Sequence, residues 1–218
     1  MANKAYQRQV VILIGAPAAG KGTVAHLLEA MGYTTISTGT MLRQEVAEGT
    51  ELGKTIDTAM RGGGLVPDDI IIEMVRHRIS EMPESSLTFD GFPRAAGEAK
   101  ALDDALREYG FDMDKIHVFR LNVSNELLHQ RFHKRRDDHM KAGMALRKDD
   151  DPAVFERRLA AYGLYSVEVA SYYGNRVHNV DASHAPHETL RQIELVIGRH
   201  SIQETRRPKG CGFDVTAT

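Results

Sequence analysis

Residues 15 to 23 read GAPAAGKGT, directly after the apolar run QVVILI (9–14) and leading into TVAHLLEAMG (23–32). An uninterrupted run rich in β-branched residues is what a strand buried on both faces requires. Val24, Leu27, Leu28 and Met31 recur at helical spacing, and Gly32 suits the end of that helix. Three glycines, a proline and a lysine in nine residues build no core between them. They build an anion cradle. The glycines let successive backbone N–H groups converge on one point, and the helix beginning near Lys21 adds its positive end. The match is G-x-x-x-x-G-K, with Gly22 at the first hydroxyl position and Thr23 at the next. Lys21 supplies a full charge able to follow the β- and γ-phosphates, and a threonine hydroxyl can support magnesium. The blander alternative, a glycine-rich turn without a ligand, sits poorly with a strand before it and a helix after it.

A chain of 218 residues makes one large domain, or one domain with small insertions. A formal net charge of -2 gives no general attraction to nucleic acid or membranes, so an anion site must be local. VVILIGAPAA is too short to span a bilayer. The single cysteine, Cys211, rules out an internal disulfide and a four-cysteine zinc site, and fits a reducing, cytoplasmic setting.

Short β-type runs alternate with longer helical ones. Strands are expected near 33–37, at SLTFD (86–90), KIHVFRLNV (115–123) and NRVHNVD (175–181). Helices are expected at roughly 39–48, 52–61, 67–82, 95–109, 124–135, from Pro152 to about Tyr173, and at 186–199. Ser124 can cap one of them and Pro67 can open another. DDHMKAGMAL (137–146) is polar, contains glycine and lacks periodicity, so it reads as a loop, and residues 203–218 read as a flexible tail. Strand–helix alternation implies a mostly parallel sheet covered on both faces, whose ligands sit at the carboxyl ends of the strands. GAPAAGKGT and DGFPR (90–94) both stand at such places.

STGTMLR (37–43), GGGLVPDD (62–69), DGFPR and the series Arg131, Arg135, Arg147 and Arg158 complete a pattern running from about residue 10 to about 199. In this the chain resembles adenylate kinase and the nucleoside monophosphate kinases related to it. The resemblance implies a three-layer α/β sandwich of the P-loop kinase type on a five-stranded parallel sheet. It implies one kinase domain over 1–202, with core segments 8–37, 86–134 and 150–200. A helical monophosphate-binding insertion would cover 38–67 and a short lid 135–149. ATP would lie against Gly15, Ala18, Ala19, Gly20, Lys21, Gly22, Thr23, Val24, Arg131 and Arg135, with Arg131 stacked on the base. AMP would lie against Thr38, Gly39, Arg43, Met60, Gly64, Val66, Gly91, Arg94, Glu98, Arg147 and Arg158. Lys21, Arg94, Arg135, Arg147 and Arg158 would serve the transfer itself. Asp90 and Thr23 would hold Mg2+, partly through water. The partners implied are ATP, AMP and ADP, to a cytoplasmic monomer. Cations around both phosphate chains are what the chemistry needs, because positioning and charge neutralisation carry most of phosphoryl transfer.

Some of these residues have plainer roles open to them. An isolated helical arginine is most often a solvated one. Asp90 could cap a turn, and Asp149 and Asp150, which the resemblance puts near the transfer site, could cap the helix that starts at Pro152. His129 and His133 lie one turn apart with no further ligands beside them, so no metal site is expected there, and the lid has no cysteines for zinc. The chain also departs from the family's pattern. Ala18 replaces a frequent glycine, a small change, and Thr40 stands where aspartate is usual. Glu98 stands where glutamine is usual. An ionised carboxylate only accepts, which suits the N1–H and N2–H₂ edge of guanine; turned outward or protonated, it leaves AMP as the acceptor. Thr38 and GGGLV keep the AMP pattern, so AMP is expected, with GMP or another monophosphate as the alternative. A nucleotide-binding relative with weakened catalysis is the second possibility, motivated by Thr40 and Glu98.

Overall fold

The computed structural model describes residues 8–62, 66–144, 146 and 150–198. Its centre is β1 (Val10–Gly15), six residues that are all buried, which accounts for the unbroken apolar run. With β2 (Tyr33–Ser37), β3 (Ser86–Asp90), β4 (Ile116–Asn122) and β5 (Val177–Asp181) it forms a parallel sheet in the order β2-β3-β1-β4-β5. The register sets Leu13 beside Asp90, and Asp90 beside Ser37, so the carboxyl ends of three strands finish together.

Alternate residues of β1 feed two cores. Val10, Ile12 and Ile14 pack with α4 (Asp68–Ser80) and α5 (Ala96–Glu108). Val11 and Leu13 pack with α1 (Lys21–Glu29), α6 (Asn125–Lys141) and α8 (Pro186–Ile197). The long α7 (Pro152–Tyr173) serves both, stacking Phe155 on Phe132 of α6 with ring centroids 4.2 Å apart and burying Val169 and Tyr173 in the other core. The result is a three-layer α/β sandwich.

Local chemistry explains the helix starts. Ser124 Oγ accepts the Leu127 N–H at 3.3 Å at the head of α6. Asp151 Oδ1 accepts the N–H groups of Ala153 and Val154 at the head of α7, with Pro152 at its first position. Between β2 and β3 stand α2 (Thr38–Glu48) and α3 (Glu51–Gly62), a hairpin held at close range. A Cβ on Gly53 would lie 2.2 Å from the Glu45 carbonyl oxygen, so only glycine lets the two backbones meet.

One expectation is corrected. The segment read as a loop from residue 137 is helical to Lys141, and Gly143, with φ of 65°, turns the chain away after it. Periodicity reports burial, and of residues 137–141, which extend past the core, only His139 is even half-buried, so the helix leaves no apolar stripe. Arg147, Asp149, Gly64, Cys211 and the 203–218 tail lie outside the described residues, as does the side chain of Met60.

Candidate active site

The carboxyl ends of β1 and β3 open into a cleft of about 870 Å³. It lies where the sheet order changes direction, since the chain leaves β1 towards β2 and leaves β3 towards β4. The glycine-rich turn forms one wall. Gly15 itself is not part of the lining: a Cβ there would meet Ala19 Cβ at 3.2 Å and Leu121 Cβ at 3.3 Å, so this glycine packs the turn onto β4. Ala18, Ala19, Gly20, Gly22, Thr23 and Val24 face the cleft. Gly20, at φ of 98°, stands at the head of α1, and no side chain caps that helix. Its first N–H groups are therefore aimed at the cleft for an outside acceptor. Ala18 also has φ of 64°. Alanine in place of glycine is thus not a small change, since an L side chain in this region costs roughly 1–2 kcal/mol.

Cations converge on the same point. Lys21 Nζ donates to the carbonyl oxygens of Gly15 at 2.7 Å and Ala16 at 3.0 Å. Burial lowers its pKa to about 8, the Asp90 carboxylate opposing and the guanidiniums of Arg94, Arg158 and Arg135 adding to the effect. Four cations against the carboxylates of Asp90 and Asp150 leave an excess of positive charge that is unfavourable without a further anion among them. Arg94 Nε donates to the Gly91 carbonyl at 2.8 Å. Arg135 donates to Asp150, whose side chain is fully buried at the head of α7. Arg158 enters from α7. Arg131 spans the phosphate turn and the segment after β5, donating to the carbonyls of Ala19 at 3.3 Å and Ala182 at 2.7 Å.

The other end of the cleft is built on α2 and the turn after β3. Buried Thr38 donates to the Gly91 carbonyl at 3.1 Å. A Cβ on Gly91 would come within 3.1 Å of Thr38 Oγ1 and 3.2 Å of an Arg94 nitrogen, and φ there is 82°. A Cβ on Gly39 would come within 3.2 Å of an Arg43 nitrogen. Bare backbone therefore gives both arginines their places. Val66, Leu42 and Ile71 supply an apolar wall. Glu98 lines this recess at 4% exposure and accepts the Arg94 N–H, in the first turn of α5. Burial pushes its carboxyl pKa up, Arg94 opposing and Asp68 adding to the rise. The carboxyl is turned inward.

Asp90 stands where the two ends meet. A Cβ on Gly22 would lie 3.6 Å from Asp90 Oδ2, and Ser37 Oγ donates to the same oxygen at 3.5 Å. One carboxylate at the head of α1, in a cleft that Thr23 and the phosphate cradle also line, supplies with the threonine hydroxyl the hard-oxygen donors that Mg2+ takes, with the remaining positions left to phosphates and water. The residues present fit that ion. Among the described residues no three His, Cys, Asp or Glu side chains converge as a metal cluster, and no helix is long and apolar enough to cross a membrane.

Tyr165 and His184 are among the cleft residues that the sequence motifs do not mark. Tyr165 follows Arg158 by two turns on α7, a spacing that puts both on one face. His184 follows β5, at a strand's carboxyl end, where ligands of such sheets gather. Both signals were present in the sequence.

The family model for adenylate kinase matches residues 13–178. A protein of Methylobacterium nodulans named adenylate kinase is 38% identical over 191 residues, covering 86% of this chain and 95% of its own length. One of Xanthobacter autotrophicus with the same name is 42% identical over 168 residues, covering 76% and 85%. One of Deinococcus deserti, again named adenylate kinase, is 37% identical over 171 residues, covering 78% and 86%.

Proposed function

The chain belongs to the adenylate kinase family, whose members convert ATP and AMP into two ADP, and we propose that the cleft at the strand tips performs this reaction. One observation carries the reading: Lys21, Arg94, Arg135 and Arg158 crowd together beside an uncapped helix N-terminus. A protein that only binds nucleotide has no need for so much charge at one point; a transferring phosphoryl group does.

In this reading the N–H groups of Gly20, Lys21, Gly22 and Thr23 cradle the donor's phosphates, and Arg131 lies on its base. Lys21 exchanges two carbonyl oxygens for phosphate oxygens. Thr38, Gly39, Arg43, Val66, Gly91 and Glu98 hold AMP. Its phosphate is already a competent nucleophile, so no general base is required. The work falls to Arg94, Arg135 and Arg158, which hold acceptor and donor oxygens in line and neutralise charge as the phosphoryl group passes. Thr23 and Asp90 would hold Mg2+, which when bound offsets charge on the donor phosphates. Met60, Gly64 and Arg147 join the site by their motif alone, with residues 38–67 as acceptor insertion and 135–149 as lid. A cytoplasmic monomer completes the proposal.

The test is turnover of purified protein with ATP, Mg2+ and each of AMP, GMP, CMP and UMP. AMP should be used best. No turnover with any of the four refutes the proposal; preference for GMP assigns the acceptor differently and points to an ionised Glu98.

A further inference from the structure

Three hydrogen bonds cross the floor of the cleft in one direction. An Arg43 nitrogen donates to Thr40 Oγ1 at 3.1 Å, Thr40 Oγ1 donates to Ser37 Oγ at 3.3 Å, and Ser37 Oγ donates to Asp90 Oδ2 at 3.5 Å. The ends force the direction. A guanidinium can only donate and a carboxylate can only accept, so each hydroxyl must receive from the Arg43 side and give to the Asp90 side. The backbone sets the order: Ser37 and Asp90 are register partners in β2 and β3, while Thr40 and Arg43 lie three apart in the first turns of α2. All four residues line the cleft.

We infer that Thr40 is a positioning residue whose hydroxyl couples the acceptor-phosphate arginine, Arg43, to the carboxylate at the donor end, Asp90. The inference rests on the reading of the cleft as an adenylate kinase site. The hydroxyl holds Arg43 in place for the monophosphate, and through Ser37 it holds Asp90 towards the phosphate turn. Hydrogen bonds in series polarise one another, so a change of charge at one end alters the other. Binding of AMP and binding of the magnesium–nucleotide complex should therefore favour each other, each to the same degree.

Thr40→Val keeps the shape and removes the relay, and Thr40→Ser keeps the hydroxyl. Calorimetry would give the affinity for AMP alone, without metal, and again with Mg2+ and a non-hydrolysable ATP analogue. The expected result for Thr40→Val is AMP binding weakened about three- to tenfold without metal, the loss of one solvent-exposed hydrogen bond of ordinary strength. The gain in AMP affinity on adding Mg2+ and analogue, present in the unmodified protein, should vanish. Thr40→Ser should restore both. Ser37→Ala, which cuts the second and third links and leaves Arg43 bonded to Thr40, should lose the gain and keep the affinity for AMP alone. Thr40 is exposed, so melting of its variants should match the parent. Thr40→Val binding AMP as the parent does under both conditions overturns the inference, as does equal weakening by Thr40→Val and Thr40→Ser. A parent that turns over ATP and AMP while Thr40→Val is indistinguishable refutes only the relay; a parent without turnover refutes the underlying reading.

Discussion

Glu98→Gln puts an amide where a buried carboxyl now sits, and it separates base reading from helix capping. Glu98 is 4% exposed, its neighbourhood includes Arg94, Asp68 on α4 and Tyr165 on α7, and burial raises its pKa. Protonated, it has an O–H to donate to adenine N1; ionised, it only accepts, as the guanine edge requires. The amide donates at every pH. A mismatched edge leaves a buried polar group unpaired at a cost of roughly 1–3 kcal/mol, about tenfold or more in kcat/KM. The assay is the ratio of kcat/KM for AMP to that for GMP, measured from the ordinary carboxylate range upward into mildly alkaline pH. The ratio cancels the titration of Lys21, which both substrates share. For the parent it should fall as pH rises through the raised pKa of Glu98. For Glu98→Gln it should stay flat and exceed the parent's by about tenfold at the alkaline end. Stability gives a second readout. The folded pKa lies above the unfolded one, so the folded state holds the proton longer. The parent therefore loses stability as pH climbs from the ordinary carboxylate range through the raised value, and is level beyond it. Glu98→Gln has no such slope. A parent ratio independent of pH, and within about twofold of the variant's, would refute base reading and leave Glu98 as a cap on α5.

Lys21 should show its depressed pKa in kinetics: kcat/KM for ATP declines above about pH 8, while Lys21→Arg, which does not titrate in this range, loses that limb. Because its folded pKa lies below the unfolded value, stability should rise with pH between about 8 and 10.5, and Lys21→Met should lack that rise. Turnover of Lys21→Met should fall by about a thousandfold or more, and unchanged turnover would remove Lys21 from the transfer site. Ala18→Gly relieves roughly 1–2 kcal/mol of left-handed strain and returns about 0.5–1 kcal/mol through unfolded-chain entropy. Thermal melting should therefore rise by about 1–4 °C, and a fall would show that the strain is absent. Asp103, 1% exposed, accepts from Arg176 at 2.9 Å and Tyr172 at 3.2 Å, away from the cleft. Asp103→Ala should lower stability by about 2–3 kcal/mol in denaturant melts while leaving kcat unchanged well below the melting temperature.

What the sequence by itself determined is local. The strand, turn and helix around GAPAAGKGT, the cap at Ser124, and the alternation that demands a parallel sheet are each written within a few residues, because backbone conformation is decided by near neighbours. Motif order then identified the family without any coordinates. The tertiary structure decided what depends on distant residues meeting. Ser37 and Asp90 are 53 residues apart, and only the β2–β3 pairing makes them partners. Arg131 meets the carbonyls of Ala19 and Ala182 only because β4 lies between β1 and β5. The inward turn of Glu98, which the sequence left open, follows from the Arg94 N–H it accepts and the α4 and α7 side chains around it. The left-handed backbone at Ala18 was invisible for the same reason: alanine does not choose that conformation, and the turn packed against β4 imposes it.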